Sequence, residues 1–118
     1  MVSLFLYYGY LCVLDRVFYA GGKFLAYKPG AAVVSARRAG TTAAIDVINK
    51  YFTINNMPVV SSQYWNMVHG TKAEDVEKDL EGLNVMQNIA KNMVWLLKSI
   101  KQNAHPELEA KPMTNFIR

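Results

Sequence analysis

The chain has 118 residues, of which 52% are hydrophobic, enough for one domain built on a single core. Its formal net charge of +4 is modest, and Arg37-Arg38 is its only adjacent basic pair, so no basic stripe interleaved with aromatics points to nucleic acid. The single cysteine, Cys12, excludes an internal disulfide framework and any Cys-only iron–sulfur or zinc site within one chain, and it fits a reducing, cytoplasmic setting.

The first 14 residues, MVSLFLYYGYLCVL, carry no charge. A membrane-spanning helix needs about 20 apolar residues, so this run is short. It also lacks the positive start and small-residue cleavage site of a signal peptide. It reads as a buried segment, with no membrane association expected. Leu11 to Tyr19 predicts a helix with Leu11, Leu14 and Phe18 on one face. Asp15 and Arg16 are its only charges, so most of its circumference is expected to be covered. Gly21-Gly22 is a stop signal. YKPG predicts a turn in which Pro29 sets φ and Gly30 releases it.

Ala31–Ala36, AAVVSA, is a short apolar run without alternation, which predicts a strand buried on both faces. The next helix starts near Gly40 or Thr41, with Ala44, Ile45, Ile48 and Phe52 as its stripe. Either Thr41 or Thr42 is a candidate cap. NNMP closes it, and Pro58 prevents continuation. Val59–Trp65, VVSSQYW, is a second strand candidate, followed by the loop NMVHGTK. A long helix is expected from about Ala73 to Gln102, with Val76, Leu80, Leu83, Met86, Ala90, Met93, Leu97 and Ile100 on one stripe. Acidic Glu74, Asp75 and Glu77 at its start, and Lys98 and Lys101 near its end, suit the helix dipole. Residues 104–118 carry two prolines and little periodicity, and read as an extended tail.

The order helix, strand, helix, strand, helix is an α/β signature with a parallel crossover. Two apolar parallel strands do not make a stable sheet alone, because their edges and faces need neighbours. Either the N-terminal run supplies a strand, or another chain does, or part of a larger domain is missing.

KPGAAVVSARRAGTT, MPVVSSQYWNMVHG and DLEGLNVMQNIAKNMVWLL together resemble the C-terminal part of the flavodoxin-like NADPH-dependent FMN reductase family. LDRVFYAGG is similar to that family's preceding helix, and TNFIR to its tail. The likeness covers nearly everything from Leu11 onward. It implies a partial flavodoxin-like parallel sheet with flanking helices over residues 1–118. It also implies an FMN-dependent oxidoreductase using NADPH and a small-molecule electron acceptor, assembled as a homo-oligomer. The family's Ser/Gly/Asn/Thr-rich phosphate loop has no counterpart here. YYGYL looks like a remnant of the family's third ligand loop without its proline. On this resemblance the chain is a truncated member, or else a non-catalytic paralogue or interaction module that holds no cofactor.

SARRAGTT is the leading candidate site. Ligands of open α/β sheets bind at the carboxyl ends of the strands, where a helix start offers free N–H groups. The resemblance places Ser35, Ala36, Arg37, Arg38, Gly40, Thr41 and Thr42 against the flavin ring, with Ala36 to Arg38 approaching through main chain. On the residues alone, the stretch reads first as a capped helix with two solvated arginines. Tyr7 and Tyr8 have faces suited to stacking on a planar ring, or to ordinary packing. Tyr64, Trp65 and His69 cluster after the second strand; an aromatic there can cover a neighbouring subunit's flavin, and His69 can supply a proton. His105 sits in the tail. The two histidines lie too far apart to make a metal site, and no nucleophile–base constellation is present. The acidic set Glu74, Asp75, Glu77, Asp79 and Glu81 reads as a solvated face. Side-chain acid/base catalysis is therefore not expected, as suits an enzyme whose cofactor carries the redox chemistry.

Overall fold

The computed structural model describes residues 2–110 and 112, with side chains described from Gly9 onward. Its elements are α1 (Val2–Leu25), β1 (Val34–Ala36), α2 (Thr41–Ile54), β2 (Met67–His69), α3 (Ala73–Val76) and α4 (Leu80–Lys101). The fold is mixed α/β. β1 and β2 form a two-stranded parallel sheet in which Val34 faces Met67, Ser35 faces Val68 and Ala36 faces His69. A further parallel bridge joins Gly30 to Val59. Among the described residues, no helix is long and apolar enough to cross a membrane.

The sheet's two faces are covered unequally. Successive strand residues point to opposite faces. Met67 joins Phe18, Ala32, Ile45, Phe52 and Met57 in the core beneath α2. Its neighbour Val68 lies against Gly82 of α4, beside buried Val85 and Ile89. β2 is therefore buried on both sides, as expected of a parallel strand. β1 departs from that expectation: Val34 packs on the core, but Val33 is 47% exposed and Ser35 is exposed. The cause is that α4 sits over β2 and leaves the same face of β1 bare.

α1 is one continuous helix through Gly21-Gly22, so the glycines do not end it, and the N-terminal run adds no strand. An interior glycine costs only about 1 kcal/mol relative to alanine. At Gly22 the missing side chain makes room for the Asn55 amide. The stop comes at Leu25, whose carbonyl accepts the Lys28 N–H at 3.0 Å. Tyr27, not Gly30, takes the positive φ of this turn, at 63°, held by its N–H donating to the Asn56 carbonyl at 3.0 Å. Gly30 is needed for another reason, because a Cβ there would stand 2.9 Å from the Phe52 ring. Nor is the circumference of α1 covered. Leu14 and Phe18 pack on α2, with Phe18 and Phe52 ring centres 5.9 Å apart, while Tyr10, Val13, Val17, Tyr19 and Phe24 stay exposed.

The second strand forms later than the hydropathy pattern suggests. Val59 and Val60 pair only with Gly30, through Val60 N–H to Gly30 carbonyl at 2.8 Å. The chain then leaves the sheet. The Ser62 hydroxyl lies 2.7 Å from the Tyr64 carbonyl and 2.9 Å from the side chain of buried Asn66, fixing a polar turn. Pairing resumes at Met67, inside the stretch read as a loop. The long last helix is likewise two helices, α3 and α4. α4 restarts at its cap Asp79, so its phase follows contact with β2 rather than Val76. Gly82, Val85 and Ile89 are buried, while Leu80, Ala90 and Leu97 from the expected stripe are exposed.

Candidate functional site

Because β1 and β2 are parallel, their carboxyl ends open on one edge. The ladder closes where the Gly70 N–H donates to the Ala36 carbonyl at 3.1 Å. Beyond it Arg37, Arg38, Ala39 and Gly40 form an exposed loop into α2. Gly40 is the helix cap, with φ 88° and ψ −3°, in the left-handed region that glycine enters without penalty. No atom lies within 4 Å of where its Cβ would stand. Glycine is thus required by backbone angle and not by crowding.

No side chain caps α2, so the reading of Thr41 or Thr42 as cap is overturned. Thr41 is buried, and its hydroxyl points instead to the Met67 sulfur at 3.2 Å, tying α2 to β2. Thr42 is exposed. The first intrahelical bond runs from the Ala44 N–H to the Gly40 carbonyl at 3.1 Å. The N–H groups of Thr41, Thr42 and Ala43 therefore have no intrahelical acceptor, and the positive end of the helix dipole lies with them. Arg37 and Arg38 are exposed, and among the described residues neither is in an ion pair.

Of the candidate residues, Ser35, Ala36, Arg37, Arg38, Gly40 and Thr42 share this edge, while the Thr41 side chain is drawn into the core. Tyr7 and Tyr8 fall within the helical span of α1 rather than in a loop. Their side chains lie outside the described residues.

His69 ends β2 opposite Ala36. Its backbone N–H donates to the Asp79 carboxylate at 2.7 Å, and its Nδ1 lies 3.9 Å from the same oxygen. The other Asp79 oxygen accepts the Gly82 N–H at 2.9 Å, capping α4. The N–H groups of Gly82 and His69 hold the Asp79 carboxyl below the usual carboxylate range, against the opposing effect of its partial burial. Tyr64, Met67, His69, Asp79, Glu81, Gly82 and Val85 line a cleft of about 190 Å³. Tyr64 and Trp65 meet edge to face at 4.7 Å and are half exposed.

Asp79 is the residue that reading the acidic run as a solvated face misses. The available signal was its place directly before LEGLNVM, where an aspartate is a favoured helix cap. His105 is taken up in packing. Its ring stacks on Tyr27 at 4.6 Å, while the Tyr27 hydroxyl donates to the Pro106 carbonyl at 3.0 Å. Among the described residues, no group of three or more His, Cys, Asp or Glu is placed to hold a metal ion. Comparison of the chain with protein-family models, with curated proteins and with solved structures finds no match.

Proposed function

We propose that this chain is an FMN-dependent NAD(P)H oxidoreductase unit of flavodoxin-like type, with Ser35–Thr42 as its flavin-facing segment. The observation that carries this reading is the opening of α2. It begins at the carboxyl end of β1 without a side-chain cap, leaving free N–H groups beside two exposed arginines. Such a terminus favours an electron-rich ring edge. FMN, when bound, supplies the redox chemistry between the nicotinamide and a small acceptor. The loop amides orient the ring edge, and Arg37 and Arg38 offset negative charge on it. His69 ends the adjacent strand, with its ring beside the Asp79 carboxylate.

The residues present fit a ring edge, but nothing in the sequence matches the family's phosphate loop. The second reading, a non-catalytic interaction module, draws support from the uncovered face of β1 and the exposed side of α1. Titration of FMN into purified protein, followed by flavin fluorescence, separates the two. Saturable quenching together with NADPH oxidation supports the flavin reading. Absence of quenching at millimolar FMN refutes it and leaves the interaction module.

A further inference from the structure

The cleft at the carboxyl end of β2 stands on two fixed supports. One is the loop that carries Tyr64. Gln63 Nε2 donates to Asn84 Oδ1 at 2.8 Å, and Asn92 Nδ2 donates to the Ser61 carbonyl at 2.7 Å, so α4 holds this loop on either side of Ser62. The Tyr64 N–H donates to the Ser62 hydroxyl at 3.3 Å, and Trp65 meets the Tyr64 ring edge to face. Tyr64 is nevertheless 52% exposed. Its ring is held in place before any ligand arrives, which removes part of the ordering cost of binding. The other support is the start of α4, where the His69 and Gly82 N–H groups fix Asp79 through both carboxylate oxygens.

The charges of the cleft do not cancel. Asp79 and Glu81 line it, and among the described residues no lysine or arginine does. The N–H groups on Asp79 keep its carboxyl below the usual range, so it carries its charge at neutral pH. His69 Nδ1 lies 3.9 Å from that carboxylate, too far for a hydrogen bond. Glu81 is exposed and, among the described residues, is in no ion pair, while neighbouring Lys78 is paired with Asp75 at 3.4 Å. The cleft is locally anionic on a chain whose net charge is +4. Buried Met67 and Val85 supply its apolar surface. Its volume of about 190 Å³ falls short of the roughly 300–1,000 Å³ of sites for drug-sized ligands, which limits the occupant to about one ring.

We propose that this cleft binds a small aromatic cation, a single planar ring bearing an amidinium or similar group. The ring lies against Tyr64, Met67 and Val85, and the cationic group meets Glu81. An aromatic side chain attracts a cation, and a carboxylate accepts its N–H groups in charge-assisted hydrogen bonds. Asp79, whose oxygens are already engaged, contributes through its charge. A neutral ring of the same shape gains the apolar contact alone, so the site discriminates by charge. The site goes beyond the flavin reading. It needs no FMN, and it stands if the loop Arg37–Gly40 binds none.

The test uses the full chain without FMN and two probes of nearly equal shape, benzamidine, a cation at neutral pH, and neutral benzamide. Each is titrated while the backbone amide resonances are followed by NMR. Benzamidine is expected to shift the Tyr64, His69 and Gly82 amides saturably, with Kd of about a millimolar or below. Benzamide is expected to bind at least about tenfold more weakly. Glu81→Gln, an exposed substitution, should remove most of that preference and leave benzamide binding unchanged, whereas Tyr64→Ala should weaken both probes. Added salt should weaken benzamidine more than benzamide. Equal affinity for the two probes overturns the proposal. So does an undiminished preference in Glu81→Gln, a saturable shift confined to residues outside the cleft, or the absence of any saturable shift up to about 10 mM benzamidine.

Discussion

Asp79 joins the end of β2 to the start of α4: one of its oxygens accepts the His69 N–H at 2.7 Å, and the other accepts the Gly82 N–H at 2.9 Å. One carboxylate thus closes a sheet edge and begins a helix. Its substitution is expected to be felt in both. Asp79→Ala should lower stability to urea by about 1–3 kcal/mol, from the lost cap and the unpaired strand N–H. Asp79→Asn keeps a capping oxygen and should cost less.

The same group sets an acid limit. Its folded pKa lies below the 3.8 of the free side chain, so its contribution is fully present above that value and is lost as pH falls through the folded pKa. Stability measured by denaturant titration should decline below about pH 4. In Asp79→Asn that decline should be shallower, and an unchanged acid limb would assign it to other carboxylates.

An alkaline limit comes from the contact between α1 and α2. The Tyr51 hydroxyl donates to the Asp15 carboxylate at 2.6 Å, and this bond, with partial desolvation and the negative charge of Asp15, pushes the Tyr51 pKa up to about 12. A raised pKa means the contribution is complete below pH 10 and disappears as pH rises through 12. Tyr51→Phe should remove that pH dependence while keeping the ring contact with Phe18. Thermal melts between these limits are the measurement.

Two glycines should respond in opposite directions. Gly21 lies inside α1 with nothing within 4 Å of a Cβ, so Gly21→Ala should stabilise the protein by about 0.5–1 kcal/mol. Gly30 stands against the buried Phe52 ring, 2.9 Å from the position of a Cβ. Gly30→Ala should cost about 1–3 kcal/mol through overpacking. Urea midpoints of the two variants check both signs.

The arginine pair gives the sharpest test of the flavin reading. Arg37→Ala with Arg38→Ala removes two exposed charges and leaves the core intact, so the folded signal should be unchanged. FMN affinity should fall by about tenfold or more, in keeping with the loss of charge-assisted contacts. Equal FMN quenching by the double variant and the unaltered chain would remove the arginines from the site.

What the sequence determined by itself is local. The α/β order, the start of α2 at Gly40-Thr41, its end at Asn55–Pro58, and the stripe of Ile45, Ile48 and Phe52 all follow from periodicity and from glycine and proline chemistry. The tertiary structure decided what hydropathy does not encode. Thr41 turns inward because a methionine sulfur waits on β2, and Ser62 and Asn66 pull an apolar run out of the sheet. Asp79, one acid among several along the chain, becomes the cap and edge closure because two N–H groups converge on it from segments ten residues and three residues away. Such choices depend on which backbone donors meet in space, and spacing along the chain carries no record of that.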